Sequence, residues 1–299
     1  MTTEWARKWL SDPSLTPACQ QQVAIIDELV SSKTSPQSSA SATASLVEAQ
    51  DDISFALADL VGLYFSAAES CTSLQELEVL VAYRVELARL PDAVNRGPEA
   101  RSWDVPGLEP PRRIEVGEVI VIEGKRLWSQ LPGFSLHVAE TFQGTHVKYL
   151  WPAVCDPLRL MADVVIIGPE LWTHSIRNPA TPEVATAKWK DFNTLLALTA
   201  HEPDAQTTPA LANYNRLSRV TLAMALEYSP GTRLGKNTAM HVPAAAQWFL
   251  IAGEEIEKMC EAGTESIPGG DLWVGRGGSD VCDVARLQFW KERLKELGY

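Results

Sequence analysis

The placing of hydroxyls and prolines is what most constrains this chain. Thr16-Pro17, Thr181-Pro182 and Thr208-Pro209 each set a side-chain oxygen at an N-cap and a proline at the first helical position. A proline there loses nothing by lacking an N–H, and the hydroxyl accepts from an otherwise orphaned amide. Ser45-Leu46-Val47-Glu48 and Ser73-Leu74-Gln75-Glu76 have capping-box spacing, each ahead of an apolar-periodic run. At about 100° per residue, Leu46, Ile53, Leu57, Leu60 and Tyr64 share one helix face. Glu48, Asp52, Phe55 and Asp59 fall on the other. Leu77, Leu80, Val81 and Leu87 repeat the pattern over 74–90, and Pro91 stops it. Tyr214, Leu217, Val220, Met224 and Tyr228 line a helix over 210–228. Ala245, Trp248, Phe249, Ala252, Ile256 and Met259 line another over 244–260, and Leu287, Trp290, Leu294 and Leu297 a last one. Further helices are predicted at 18–31, 134–143, 153–167 and 183–199. The fold class this implies is all-α, a multi-helix globular bundle of roughly 8–12 helices with little or no sheet.

Three stretches interrupt the periodicity. Residues 33–44 are rich in Ser, Thr and Ala and read as a linker between an N-terminal helical segment, 1–32, and a single helical domain, 45–299. Residues 91–113 are rich in proline and read as surface chain. The β-branched run 114–122 has strand composition but no second run to pair with, so no sheet is expected from it.

Composition excludes several classes of function. Lys+Arg number 26 against 38 Asp+Glu, a formal net charge of −12. Such a surface repels phosphate backbones, and no basic run offsets it, so neither nucleic acid nor an anionic membrane is an expected partner. The first ten residues carry charge and no apolar core, unlike a secretory leader. The greasiest stretch, Leu160 to Trp172, is broken by Asp163, Pro169 and Glu170 and is too short to span a bilayer. Five scattered cysteines suit reduced thiols and a cytoplasmic location rather than a disulfide framework or a zinc site.

Each candidate motif fails on chemistry. Asp51-Asp52 suggests metal-binding aspartates on a helix, but Phe55 stands where the next carboxylate belongs, and the acidic neighbours face away from the apolar stripe. His201-Glu202 starts like a zinc-protease helix, but Pro203 breaks it and Ala205 replaces the second histidine. Gly275-Arg276-Gly277-Gly278-Ser279-Asp280 lacks both the last glycine of a dinucleotide fingerprint and a phosphate-loop lysine, so it reads as a turn before a helix capped by Asp280 or Asp283. Gly133-Phe134-Ser135-Leu136-His137 lacks the second glycine of a nucleophile elbow. No two histidines stand at i, i+3 or i, i+4, so no metal site is built on one helix, and no cofactor is expected.

Tryptophan is over-represented, with ten in 299 residues. Indoles fill interhelical space when their N–H finds a partner, and line clefts where they flank turns. Trp128, Trp151, Trp172, Trp248 and Trp273 are therefore candidate ligand-binding residues. Glu255 lies at the edge of the stripe bearing Trp248, where partial desolvation suits acid–base work, and His241 and His137 are the other candidate catalytic residues.

Several segments carry a family resemblance. They are Leu127-Trp128-Ser129-Gln130-Leu131-Pro132, Ala244 to Gly253 with Trp248 at its centre, Leu272-Trp273 with Gly275, and Phe289-Trp290-Lys291-Glu292-Arg293. They resemble an uncharacterised fungal family, domain of unknown function 3632. The resemblance implies a soluble, helical fungal protein and assigns no catalytic residue. Two functional expectations follow from the residues. One is a Trp-lined interhelical cleft for a small, largely apolar molecule, in a cofactor-independent isomerase, cyclase or lyase of fungal specialised metabolism. The other is a non-enzymatic helical surface for a protein partner.

Overall fold

Helices form where a cap and an apolar stripe coincide. A computed structural model of the chain describes residues 2–103, 112–143 and 181–299, and eleven α-helices lie among them. They are α1 (Glu4–Leu10), α2 (Pro17–Val30), α3 (Pro36–Glu48), α4 (Ile53–Ala68), α5 (Leu74–Ala88), α6 (Phe134–Gln143), α7 (Pro182–His201), α8 (Ser218–Leu226), α9 (Thr238–Ala262), α10 (Asp271–Val274) and α11 (Val284–Glu296). The expected all-α class holds. The helix predicted at 153–167 lies outside the described residues. Thr16 Oγ1 accepts from the Cys19 amide at 3.1 Å and Thr181 Oγ1 from Val184 at 3.4 Å, each with proline at the first position. At α5 both arms of the box close: Ser73 accepts from the Glu76 amide and the Glu76 carboxylate from the Ser73 amide.

The chain divides into two compact units. The first holds residues 2–103 and 112–139 with Thr208–Ala210, and the second holds 140–143, 181–207 and Leu211–Tyr299. Within the first, α2 packs on α3 and α4, and α3 on α5. Two strands, β1 (Val121–Ile122) and β2 (Lys125–Arg126), form an antiparallel hairpin. Its turn residues Glu123 and Gly124 both have positive φ, 51° and 74°. That is the backbone a two-residue hairpin turn demands. The run 114–122 finds the partners that composition did not reveal: single bridges pair Ile114 with Arg101 and Val119 with Val94.

The linker reading of 33–44 is overturned, for a specific reason. Ser35 caps α3 and Pro36 begins it. Ser39, Ala40, Thr43, Ala44 and Val47 are buried at helical spacing, so the small residues form a packing face. The Ser41 and Ser45 hydroxyls are satisfied by donating to the carbonyls of Gln37 and Ser41, both at 3.0 Å. Thr43 Oγ1 and Tyr83 Oη, both buried, lie 2.7 Å apart and tie α3 to α5. Tyr83→Phe is expected to cost about 1 kcal/mol by stranding the threonine hydroxyl, and Thr43→Val in the same protein to restore most of it. Urea unfolding midpoints check both.

Residues 45–64 are also corrected. Ser45-Glu48 belongs to the last turn of α3, not to the start of a helix. The next helix, α4, is capped by Asp52, which accepts from the Phe55 amide at 2.9 Å. The expected helix at 210–228 likewise starts late. Thr208-Pro209 sits in a turn, and Asn213 has a left-handed φ of 69° ahead of a 3₁₀ turn, Tyr214–Leu217, that leads into α8. Within the first unit, the buried Arg84 guanidinium donates to the Ala210 carbonyl at 2.9 Å, an acceptor made available by the turn.

In the second unit α9 packs against α7, α8 and α11. All nine residues of α8 are buried, its polar ones included: Arg219 pairs with Glu265 and Thr221 donates to Asn193 Oδ1. The 25-residue α9 takes in Pro243 and bends at Ala252, whose φ and ψ of −120° and 32° leave the helical region. Among the described residues, no helix is long and apolar enough to cross a membrane.

Candidate functional site

His241 lies in the first turn of α9, 1% exposed. The edge of its ring meets Trp189 on α7, with centroids 5.8 Å apart and planes at 87°. Trp189 and Phe192 stand three apart on α7 and so share a face, with centroids 6.1 Å apart. Phe142 of α6 completes the cluster, 5.0 Å from Trp189 and 6.0 Å from Phe192. Burial in these apolar surroundings pushes the imidazole down to about 4, so the ring is neutral at physiological pH. Its Nδ1 is buried with no hydrogen-bond partner among the described residues. A neutral imidazole carries one donor and one acceptor, and leaving either unmet in a core costs free energy.

The other sequence candidates do not converge on this cluster. Glu255 lies 14 residues beyond His241 on α9, a rise of about 21 Å. Its Oε1 stands 3.2 Å from Nδ1 of the exposed His201, while Oε2 is buried without a partner among the described residues. His137 belongs to the first unit, stacked on Phe65 at 4.2 Å with planes 8° apart. Desolvation lowers its pKa, and the charge of Glu69 opposes that in part.

The described tryptophan candidates serve packing. Trp128 is fully buried and donates to Glu48 Oε1 at 2.8 Å in the first unit. Trp248, also fully buried, donates to Asn193 Oδ1 at 2.8 Å, and Thr221 donates to the same oxygen at 2.7 Å. Trp273 donates to the Ser279 carbonyl at 2.7 Å. Each of these three indole N–H groups is thus spent on the fold. Trp151 and Trp172 lie outside the described residues.

Sequence reasoning missed two groupings. The partners of His241 come from two other helices, and nothing local to His241 marks them. The second is a buried polar knot. Glu227 caps the C-terminus of α8, and both its side chain and that of Arg286 are fully buried. Arg286 Nε donates to Glu227 Oε1 at 2.7 Å and Nη2 to Oε2 at 2.9 Å. Trp290 Nε1 donates to Oε1 at 2.6 Å and the Gly270 amide to Oε2 at 2.9 Å. Arg286 Nη1 donates further to the carbonyls of Ile267 and Asp280, at 2.9 and 2.8 Å. With its hydrogen bonds met and its charges matched, the knot is a structural clamp on the loop before α11. Asp283 caps that helix by accepting from the Arg286 amide at 2.9 Å, one of the two expected caps.

Fold and site together define a helical protein of two compact units, the second holding a neutral histidine beside aromatic rings, its Nδ1 without a partner among the described residues. The chain belongs to the family described as Protein of unknown function (DUF3632), which matches residues 62–294. No curated protein and no solved structure matches it. Among the described residues, no group of three or more His, Cys, Asp or Glu side chains is placed to hold a metal ion.

Proposed function

We propose that the second unit binds a small, largely apolar molecule against Phe142, Trp189 and Phe192, with His241 hydrogen-bonded to its single polar group. The observation that carries this reading is the buried Nδ1 of His241, which lacks a partner among the described residues. Folding alone favours filling such a position with leucine or phenylalanine, so the retained imidazole points to a ligand that completes it. The chemistry fits a ring or branched hydrocarbon bearing one hydroxyl or carbonyl.

A neutral imidazole can donate its N–H to a carbonyl and polarise it, which suits an isomerase, cyclase or lyase acting without a cofactor. The proposal extends to a cytoplasmic protein of fungal specialised metabolism. The free thiols of Cys19, Cys260 and Cys282 support a reducing location.

A thermal-shift panel of phenols, cyclic alcohols and cyclic ketones tests the binding. A ligand held at tenfold over its dissociation constant adds about 1.4 kcal/mol, a rise of roughly 3 °C for a chain of this size. The rise should vanish in His241→Leu, which is itself expected to be more stable than the parent by about 1 kcal/mol. A panel that moves neither protein counts against the reading.

A further inference from the structure

A second site, in the first unit, rests on residues that the reading above does not use. Lys125 opens β2 and Ser135 is the second residue of α6. Both are half-buried, and Lys125 Nζ lies 3.0 Å from Ser135 Oγ. Among the described residues Lys125 makes no ion pair. Two forces act against its ammonium form. Desolvation lowers its pKa, with the Glu123 charge opposing in part. The positive end of the α6 dipole stands beside it as well.

The chain is bent sharply to present the serine here. Leu131, a buried non-glycine residue, takes a left-handed φ of 43°, and Gly133 has a φ of 86° just before α6. The first bond closing the helix runs from the His137 amide to the Gly133 carbonyl at 2.9 Å. The amides of Ser135 and Leu136, one step earlier, are therefore the first-turn donors that a helix leaves over.

We propose that Ser135 and Lys125 form a nucleophile–base dyad that hydrolyses small carboxylic esters, with the Ser135 and Leu136 amides holding the oxyanion. In the amine form the hydrogen bond reverses, and the Ser135 O–H donates to Nζ. Ser135 Oγ bonds to the ester carbonyl carbon while its proton passes to Lys125 Nζ, and the carbonyl π pair moves onto oxygen. Collapse of this intermediate breaks the carbon–alkoxide bond. The departing alkoxide takes the proton from Lys125, leaving an acyl-serine. Water then attacks the acyl carbon and gives a proton to Lys125, which returns it to Ser135 Oγ as the acid leaves. The sum is ester plus water to acid plus alcohol.

The full chain should hydrolyse p-nitrophenyl butyrate, with a rate that rises with pH through an inflection below the ordinary lysine range. A fluorophosphonate probe should add to the tryptic peptide containing Ser135. Ser135→Ala should abolish the adduct. Lys125→Arg keeps the charge and the hydrogen bond but cannot act as a base, and should slow both reactions on the order of 100-fold with an unchanged melting temperature. Absence of an adduct at Ser135 at every pH from about 7 to 10, or full reactivity in Lys125→Arg, would overturn the proposal. The reading of His241 stands or falls separately.

Discussion

Arg286→Ala is expected to destabilise the protein by about 3–5 kcal/mol, because it leaves the Glu227 carboxylate buried without its counter-charge. Both side chains are fully buried, so water cannot replace what is removed. The same change also frees the carbonyls of Ile267 and Asp280, which hold the loop before α11. Glu227→Ala should cost a similar amount, since it strands the guanidinium together with the Trp290 indole and the Gly270 amide. The pair Glu227→Leu and Arg286→Met removes both charges, and should cost clearly less than the sum of the two alanine changes. A double-mutant cycle in urea checks this. Additive losses would show that the two groups do not act as one knot.

A pH-dependent loss of stability should trace to His241. Its pKa is depressed from 6.5 to about 4 by burial, so the folded chain resists taking up a proton that the unfolded chain accepts. Above about pH 6.5 both states are neutral there and the residue contributes no pH dependence. As the pH falls below that value the unfolded state gains, reaching about 2 kcal/mol near pH 5 and about 3 kcal/mol at pH 4, and levelling off only below that. The comparison is between the parent and His241→Leu, so that carboxylates titrating in the same range cancel. Parallel stability curves from pH 7.5 to 4 would place the imidazole in contact with water.

Local chemistry explains what was legible in the sequence. The starts of α2, α5, α7 and α11 rest on one hydroxyl or carboxylate and its own next turn, so four residues suffice to find them. Small residues defeated the reading of 36–48, because Ser, Ala and Thr look like linker until Tyr83 supplies the surface they pack on. Thr208-Pro209 has the local signal of a helix start, but stands in a turn whose Ala210 carbonyl is taken by Arg84, 126 residues away in sequence. The Trp excess has a packing explanation at seven described positions, where the indoles of Trp5, Trp9, Trp103, Trp128, Trp248, Trp273 and Trp290 each donate to a hydroxyl, carboxylate, amide or carbonyl oxygen. What marks His241 is an Nδ1 with no partner among the described residues combined with rings from α6 and α7, and no spacing along one chain encodes that.

Nitrogen NMR of the histidine side chains tests the central claim most directly. The chain carries five histidines, and His241→Leu identifies the signal of interest. In the free protein the His241 ring should be neutral, with Nδ1 reporting no bonded partner, down to about pH 5. Titration with p-cresol and the other single-hydroxyl or carbonyl ring compounds of the thermal panel should move one of them saturably, as a hydrogen bond forms to the ligand. A His241 ring that protonates near pH 6.5, or one that no compound of the panel moves, would contradict the account.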